Sequence, residues 1–262
     1  MPTIGVAATA PFGADVLERL AAWHDIAFLL TRPDARAGRG RKAAPPPAKE
    51  VAERLGLRVL QPERPEIEDV DAVVVAAYGL LIPESLLERS SWLNVHPSLL
   101  PRWRGAAPVE RAIMAGDRET GVTIHRTVKE LDAGPVAAQA AFAIEDEEDA
   151  GAVFARAAGL AADLLEAVLA QDEPAFEPQP DEGVTYADKI TAADRELDAD
   201  DPEQAVRVVR ALSPHIGARA KIDGRDLLVW RARVDDGQFV PLEVQPAGKR
   251  RMSYEEFRRG LR

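Results

Sequence analysis

Short, continuous apolar runs alternate with segments of helical periodicity in the first third of the chain. Residues 14–23 and 47–55 carry apolar side chains at the spacing of an amphipathic helix. The apolar runs of strand length are residues 3–9, 26–31, 58–60, 71–78 and 92–96. Continuous apolar strands separated by helices are typical of a parallel sheet that is covered on both faces. The pattern therefore predicts a doubly wound, mostly parallel α/β fold, in which ligands bind beyond the carboxyl ends of the strands.

The rest of the chain divides at a stretch rich in proline and acidic residues, 172–183 (DEPAFEPQPDEG). Before it, the pattern predicts helices over 109–115 and 150–169 and strands over 120–126 and 136–144. After it, the pattern predicts a helix over 202–212 and a hairpin of 218–222 with 227–234 around Asp223-Gly224. We therefore expect a large domain over residues 1–171, a linker over 172–185 and a small C-terminal domain over 186–262.

The composition is that of a globular protein, with 46% hydrophobic residues and a formal net charge of −11. Residues 141–200 hold 17 acidic and 3 basic side chains, so most of the negative charge lies in this segment and the flanking segments are near neutral or basic. The net charge therefore does not exclude an anionic partner. The absence of cysteine excludes disulfides, thiolate metal sites and a cysteine nucleophile. There is no apolar run of about 20 residues and no signal-like N-terminus, so we expect a cytoplasmic protein without membrane contact.

The common cofactor and nucleophile motifs are missing from the sequence. There is no GxxxxGK(S/T), no GxGxxG after the first strand, no HExxH and no GxSxG. The four histidines are scattered along the chain. The sequence therefore supports neither a nucleoside triphosphate site nor a nicotinamide site, and we expect no metal.

Candidate chemistry lies at the end of the predicted central strand, at Asn94 and His96. Residues two apart in a strand point to the same side, so an amide and an imidazole are presented together, and such a pair can stabilise negative charge on a carbonyl oxygen. Asp132, in Asp132-Ala133-Gly134, could orient the imidazole and move a proton if folding brings it there. From residue types alone, the simpler interpretation is a strand end bonded to backbone, followed later by an ordinary turn.

The block at residues 93–114 (LNVHPSLLPRWRGAAPVERAIM) resembles the signature of the formyltetrahydrofolate-dependent formyltransferases. Its continuation RWRGAAP is similar to that of the members that act on methionyl-tRNA. Three further stretches are similar to the same members: residues 31–42, 121–134 and 245–253. The resemblance implies a Rossmann-like catalytic domain followed by a small β domain of the OB type.

The resemblance implies transfer of a formyl group from 10-formyltetrahydrofolate, as co-substrate, to the α-amine of methionyl initiator tRNA. Asn94 and protonated His96 would hydrogen-bond the formyl oxygen, and Asp132 would orient His96 and accept the proton of the amine. The residues matching the family's folate-contacting segments are Ser98, Leu99, Leu100 and Pro101, and Ala77, Tyr78, Gly79, Leu80 and Leu81. A Pro-terminated turn into the next helix is the simpler interpretation of residues 98–101 when they are taken alone.

A basic stretch, residues 32–42, matches the family's tRNA-contacting insertion. We expect it to bind tRNA phosphates, although charge runs are often only solvated loops. The residues that would make these contacts are Arg36, Arg39, Arg41 and Lys42. The other partner is a reduced folate, and we expect a monomer.

The sequence departs from the tRNA enzymes at Pro97 and at residues 132–136 (DAGPV), where it leans toward glycinamide ribonucleotide formyltransferases. It also departs at His125-Arg126, where an apolar pair is more typical. The C-terminal segment is also shortened, which predicts a reduced sheet capped by a helix over 253–261 in place of a complete barrel. One alternative is therefore a formyltransferase that acts on a small amine, such as glycinamide ribonucleotide or an amino-sugar nucleotide. Another is a non-catalytic folate- or RNA-binding relative.

Overall fold

The structure is a computed structural model that describes residues 2–37, 42–63, 66–198 and 200–260. Contacts between residues divide it into two compact units. The first consists of Met1–Arg104, Gly121–Ala141 and Ala155–Thr185. The second consists of Gly105–Thr120, Phe142–Phe154 and Tyr186–Arg262, so it takes in segments on both sides of the predicted linker.

The strands are numbered in chain order. In the first half they are β1 (Ile4–Ala8), β2 (Ile26–Leu30), β3 (Ala35–Ala37), β4 (Lys42–Ala44), β5 (Val59–Leu60), β6 (Ala72–Ala76), β7 (Ser91–His96) and β8 (Arg104–Gly105). In the second half they are β9 (Glu119–Arg126), β10 (Val136–Ala143), β11 (Tyr186–Ala187), β12 (Ala218–Ile222), β13 (Arg225–Asp235), β14 (Gln238–Pro246) and β15 (Met252–Ser253).

The helices are α1 (Pro11–Leu20), α2 (Pro47–Arg54), α3 (Glu84–Leu87), α4 (Pro108–Ala115), α5 (Ala150–Leu169), α6 (Pro202–Leu212) and α7 (Tyr254–Arg259), with a 3₁₀ turn at Ala193–Arg195. Proline occupies the first turn of α1, α2, α4 and α6, where its missing N–H costs no hydrogen bond. The left-handed Gly116 ends α4, as glycine commonly does at a helix C-terminus. The Asp201 side chain caps α6 by accepting from the Gln204 amide.

A seven-stranded sheet forms the framework of the candidate site, in the order β10-β9-β7-β6-β1-β2-β5. Five neighbouring strands are parallel to one another: β7, β6, β1, β2 and β5. β9 pairs antiparallel with β7. Every residue of β1 and β6 is buried, which explains their continuous apolar sequences. The predicted doubly wound, mostly parallel fold is confirmed, and β7 lies inside the sheet with its carboxyl end at Asn94–His96.

The predicted elements agree with the observed ones to within a few residues, and the structure adds two hairpins. β3 and β4 pair antiparallel at the ends of the basic stretch; each has three residues, too few for periodicity to reveal. β13 and β14 are joined at Asp236-Gly237, where φ is 49° and 71°. Such left-handed pairs suit a two-residue hairpin turn, and Asp-Gly is a favoured sequence for it.

The second unit contains an open antiparallel sheet in the order β12-β13-β14-β15. It packs on α6 and α7 through a core of Val208, Val209, Leu212, Ala218, Leu227, Val229, Val244 and Phe257. The two edges are formed by β12 and β15, which are not neighbours in this order. The expected C-terminal β domain is present, as a four-stranded sheet.

Candidate active site

Asn94 and His96 project from the carboxyl end of β7 toward the same carboxylate. The Asn94 amide nitrogen Nδ2 donates to Asp132 Oδ1 at 3.0 Å. His96 Nδ1 lies 3.6 Å from Asp132 Oδ2. Residues 94 and 96 therefore lie on the same side of the strand, as strand alternation predicts. The loop after β9 brings Asp132 to them. The structure places the three predicted catalytic residues together.

The His96 ring is buried and held on both sides. Its Nε2 lies 2.8 Å from the carbonyl oxygen of Trp103, and a carbonyl only accepts, so Nε2 carries a proton. Its Nδ1 then faces Asp132. Both ring nitrogens therefore face acceptor oxygens, and Nε2 donates to the Trp103 carbonyl.

His125 is a fourth polar side chain of the cluster. On β9 it pairs directly with Asn94, and its Nε2 lies 3.1 Å from Asn94 Nδ2. Its Nδ1 lies 3.0 Å from the Arg126 carbonyl, so Nδ1 donates and Nε2 accepts from Asn94. Burial lowers the pKa of His125 to about 4; the nearby Asp132 carboxylate opposes this shift, and His96 adds to it. The ring is therefore neutral at pH 7.

Both N–H groups of Asn94 are engaged, one by Asp132 and the other by His125. This fixes the orientation of the amide, because a carboxylate cannot donate to the amide oxygen. A substrate oxygen that bonds to Asn94 would therefore take over one of these donors. The sequence alone does not place His125 in the site; the one signal there is a polar residue at a position where an apolar one is typical.

Asp132 is held in an unusual backbone conformation. Its φ is 47°, a left-handed value that non-glycine residues seldom adopt. Trp103, whose carbonyl contacts His96, has φ 63°, and Ala77, after β6, has φ 47°. The two remaining described non-glycine residues with positive φ are Asp223 and Asp236 in hairpin turns. Left-handed backbone outside those turns therefore concentrates on the segments of the candidate site, as strain often does at functional sites.

Position 134 has no room for a side chain, so it requires glycine. A Cβ on this residue would lie 1.8 Å from the Arg126 carbonyl oxygen, far inside van der Waals contact. The Asp-x-Gly sequence thus lets the loop carrying Asp132 pass close to the end of β9. The interpretation of this sequence as an ordinary turn misses that contact.

The turn at residues 98–101, predicted to contact folate, is largely engaged with the protein. The buried Ser98 hydroxyl donates to the Arg102 carbonyl at 2.7 Å. The Leu100 N–H donates to Thr123, and its carbonyl accepts from Gln139. The side chains of Leu99 and Pro101 are partly exposed, so these two offer the turn's accessible surface.

The other predicted folate segment, residues 77–81, follows β6. Ala77, Gly79, Leu80 and Leu81 are exposed, with Leu81 at 90%. Tyr78 instead enters the core beside Phe28 and Trp92, and burial raises the pKa of Tyr78 to about 12. The segment therefore offers backbone and leucine surface, and its tyrosine side chain is structural.

The predicted tRNA contacts lie partly outside the described residues. Arg39 and Arg41 lie there entirely. Arg36 and Lys42 are described only as backbone positions of the β3–β4 hairpin. At the base of this hairpin, Lys49 Nζ donates to Asp34 Oδ1 at 2.8 Å, which lowers the pKa of that carboxyl.

Among the described residues, no cluster of three His, Cys, Asp or Glu side chains is arranged to hold a metal ion. In the same part of the chain, no helix combines the length and apolar character needed to cross a membrane.

A family model described as formyl transferase matches residues 6–169. The chain belongs to the formyl transferase family. The methionyl-tRNA formyltransferase of Chromobacterium violaceum is 42% identical over 256 residues, covering 92% of this chain and 83% of that protein. That of Halorhodospira halophila is 46% identical over 224 residues, covering 80% of this chain and 72% of that protein.

Two solved structures of formyltransferases share the fold. The methionyl-tRNA formyltransferase from Clostridium thermocellum superposes with a TM-score of 0.68 at 16% identity, covering 94% of this chain and 99% of that one. An N-formyltransferase from Helicobacter canadensis, in complex with folinic acid and dTDP-3-aminofucose, gives 0.68 at 15% identity, covering 90% and 89%. The two TM-scores are equal, so the fold does not favour one of these two proteins over the other.

Proposed function

We propose that the chain transfers the formyl group of 10-formyltetrahydrofolate to the α-amine of methionyl initiator tRNA. The observation that carries the proposal is the convergence of Asn94, His96 and Asp132 at the end of β7. Identities of 42% and 46% to methionyl-tRNA formyltransferases favour this acceptor over a small amine.

Each member of the trio has a role that its geometry supports. Asn94 and His96 place N–H groups beside Asp132, so they would stabilise the negative charge that the formyl oxygen gains during attack. Asp132 would take the proton that the amine loses as its bond to the formyl carbon forms. The bond from that carbon to N10 of tetrahydrofolate breaks, and the proton would pass to N10 of the leaving tetrahydrofolate. The buried site, with His96 4% and His125 1% exposed, strengthens these interactions by limiting water.

Binding of the donor substrate is proposed at the exposed rim of the site. The bound 10-formyltetrahydrofolate supplies the formyl group. Ala77, Gly79, Leu80 and Leu81 offer accessible backbone and apolar surface, and Leu99 and Pro101 complete the rim. Apolar surface with a few backbone polar groups suits a flat heteroaromatic ring.

Recognition of the acceptor is proposed at the basic stretch. Its five basic side chains in residues 32–42 stand against one acid, Asp34, which Lys49 already pairs. The composition of the stretch is therefore net positive, which suits binding of phosphates. The chain would act as a monomer.

In the test, purified protein with 10-formyltetrahydrofolate is incubated in parallel with three acceptors: methionyl-tRNA, glycinamide ribonucleotide and a dTDP-amino sugar. Formylation of methionyl-tRNA at the highest kcat/KM is expected. Efficient formylation of either small amine, with methionyl-tRNA left unmodified, would overturn the proposed acceptor. No formylation of any of them, together with folate binding, would point to the non-catalytic alternative.

A further inference from the structure

The segment predicted as a linker contains a glutamine whose amide is fully used. Gln179 Nε2 donates to two carbonyl oxygens, those of Asp132 and Gly134, each at 2.8 Å. Its Oε1 accepts from the Arg104 guanidinium, from Nε at 3.1 Å and from a terminal nitrogen at 2.7 Å. One side chain thus ties Arg104 to the backbone of the loop that carries Asp132.

These hydrogen bonds hold the part of the loop whose backbone is strained, at Asp132. The left-handed conformation of Asp132 is unfavourable for an L-residue and persists only where surrounding contacts impose it. The direction of the Asp132 carboxylate depends on this backbone, because a rotation at φ would carry the carboxylate away from Asn94 and His96. The two donations from Gln179 flank Ala133 and fix the carbonyls on either side of it.

A second residue of the segment supports the other strained position. Thr185 Oγ1 accepts from the Trp103 N–H at 2.8 Å, and its carbonyl accepts from the Arg104 N–H at 2.9 Å. Trp103 is the left-handed residue whose carbonyl holds His96. Residues 179–185 therefore hold both backbone positions that fix the environment of the imidazole.

The first half of the segment is also packed. The Arg126 guanidinium lies over the Phe176 ring at 4.1 Å, and Glu177 exchanges backbone hydrogen bonds with Val136 at 2.7 and 2.9 Å. These contacts place Gln179 beside the loop. The acid- and proline-rich composition that predicts a solvated linker does not reveal them.

We infer that Gln179 is a positioning residue of the formyl transfer, acting through Asp132. Its side-chain hydrogen bonds go to Arg104 and to the carbonyls of Asp132 and Gly134, so it fixes the backbone that aims the carboxylate at Asn94 and His96. The inference rests on the proposed function, because its kinetic test measures formyl transfer. A displacement of about 1 Å in such a group can cost roughly 100-fold in rate.

The test compares Gln179→Glu with Gln171→Glu, a matched change at an exposed helix end whose amide donates to the Ala167 carbonyl. Glutamate at 179 keeps an oxygen for Arg104 but sets a second oxygen against the two carbonyls. We expect kcat to fall ~10–100-fold, with KM for 10-formyltetrahydrofolate nearly unchanged. The Gln171 variant should match the wild type in both constants.

A double-mutant cycle distinguishes positioning from a general structural role. If Gln179 acts through Asp132, the double variant Asp132→Asn with Gln179→Glu should be no slower than Asp132→Asn alone. A loss in the double variant equal to the product of the single losses would overturn the inference. So would a Gln179→Glu enzyme that turns over within about twofold of the wild type.

A readout independent of turnover separates this inference from the proposed function. The ring nitrogen resonances of His96 report the contact with Asp132 whether or not methionyl-tRNA is the acceptor. They should change in the Gln179→Glu protein and stay fixed in the Gln171→Glu protein. Unchanged His96 resonances in Gln179→Glu would overturn the inference even if the protein proved inactive on every acceptor.

Discussion

Asn94 and His125 face each other across the antiparallel pair β7–β9, with the Asn94 amide nitrogen 3.1 Å from the ring nitrogen Nε2 of His125. Since His125 Nδ1 donates to the Arg126 carbonyl, Nε2 is an acceptor. The buried neutral imidazole thus fixes the amide that also binds Asp132. A residue that looks like a departure from the family pattern is therefore part of the candidate site.

The titration of His125 predicts a pH dependence of stability. Burial lowers its pKa from 6.5 to about 4 in the folded protein. Between these values the unfolded chain binds the proton and the folded chain does not, so this residue lowers stability as pH falls from about 6.5 to about 4. His125→Met should flatten the slope of unfolding free energy against pH by up to about 1.4 kcal/mol per pH unit. Urea unfolding between pH 4 and 7 measures both slopes, and equal slopes would show that the imidazole is not held neutral.

The close passage of Gly134 predicts a severe effect of one methyl group. Gly134→Ala would set a Cβ 1.8 Å from the Arg126 carbonyl oxygen, so the loop carrying Asp132 must move. We expect a loss of about 1–3 kcal/mol of stability and a large fall in kcat.

Gly159→Ala is the control for this change. Its new Cβ would lie 3.8 Å from Arg19, an ordinary contact, within the long helix α5. It should raise stability by about 0.5–1 kcal/mol and leave kcat unchanged. A Gly134→Ala protein that melts and turns over like the wild type would refute the steric argument.

The basic stretch predicts salt-dependent tRNA use. Replacing Arg36, Arg39, Arg41 and Lys42 together with Ala should raise KM for methionyl-tRNA strongly and flatten its dependence on salt, because each phosphate contact contributes a log–log slope of roughly −0.7 to −0.9. Folate affinity should not change. The matched control neutralises Lys249, Arg250 and Arg251 in the second unit. A larger loss in this control than in the basic-stretch variant would place the main tRNA contact there instead.

The sequence predicts those features that depend on local periodicity. The buried strands β1 and β6 are continuous apolar runs, and Asn94 and His96 share a side because strand side chains alternate. The turn chemistry of Asp223-Gly224 likewise marks the hairpin of β12 and β13.

Other features depend on tertiary contacts that no local pattern encodes. Asp132 reaches His96 through a left-handed backbone that Gln179 supports from 47 residues away. The composition of residues 172–183 does not single out Gln179, because most of its neighbours are acidic residues and prolines. The resemblance predicts folate contacts for Tyr78 and Ser98, yet the Tyr78 side chain packs in the core and the Ser98 hydroxyl donates to the Arg102 carbonyl.

Formyl transfer to methionyl-tRNA is proposed to depend on Asn94, His96 and Asp132. The most direct measurement is kcat for formyl transfer from 10-formyltetrahydrofolate to methionyl-tRNA in Asn94→Ala and His96→Ala proteins, with folding verified by thermal melting. Loss of one oxyanion donor typically costs ~10²–10³ in rate, and we predict at least that fall in each variant. A correctly folded variant that formylates methionyl-tRNA at near wild-type kcat would contradict the account.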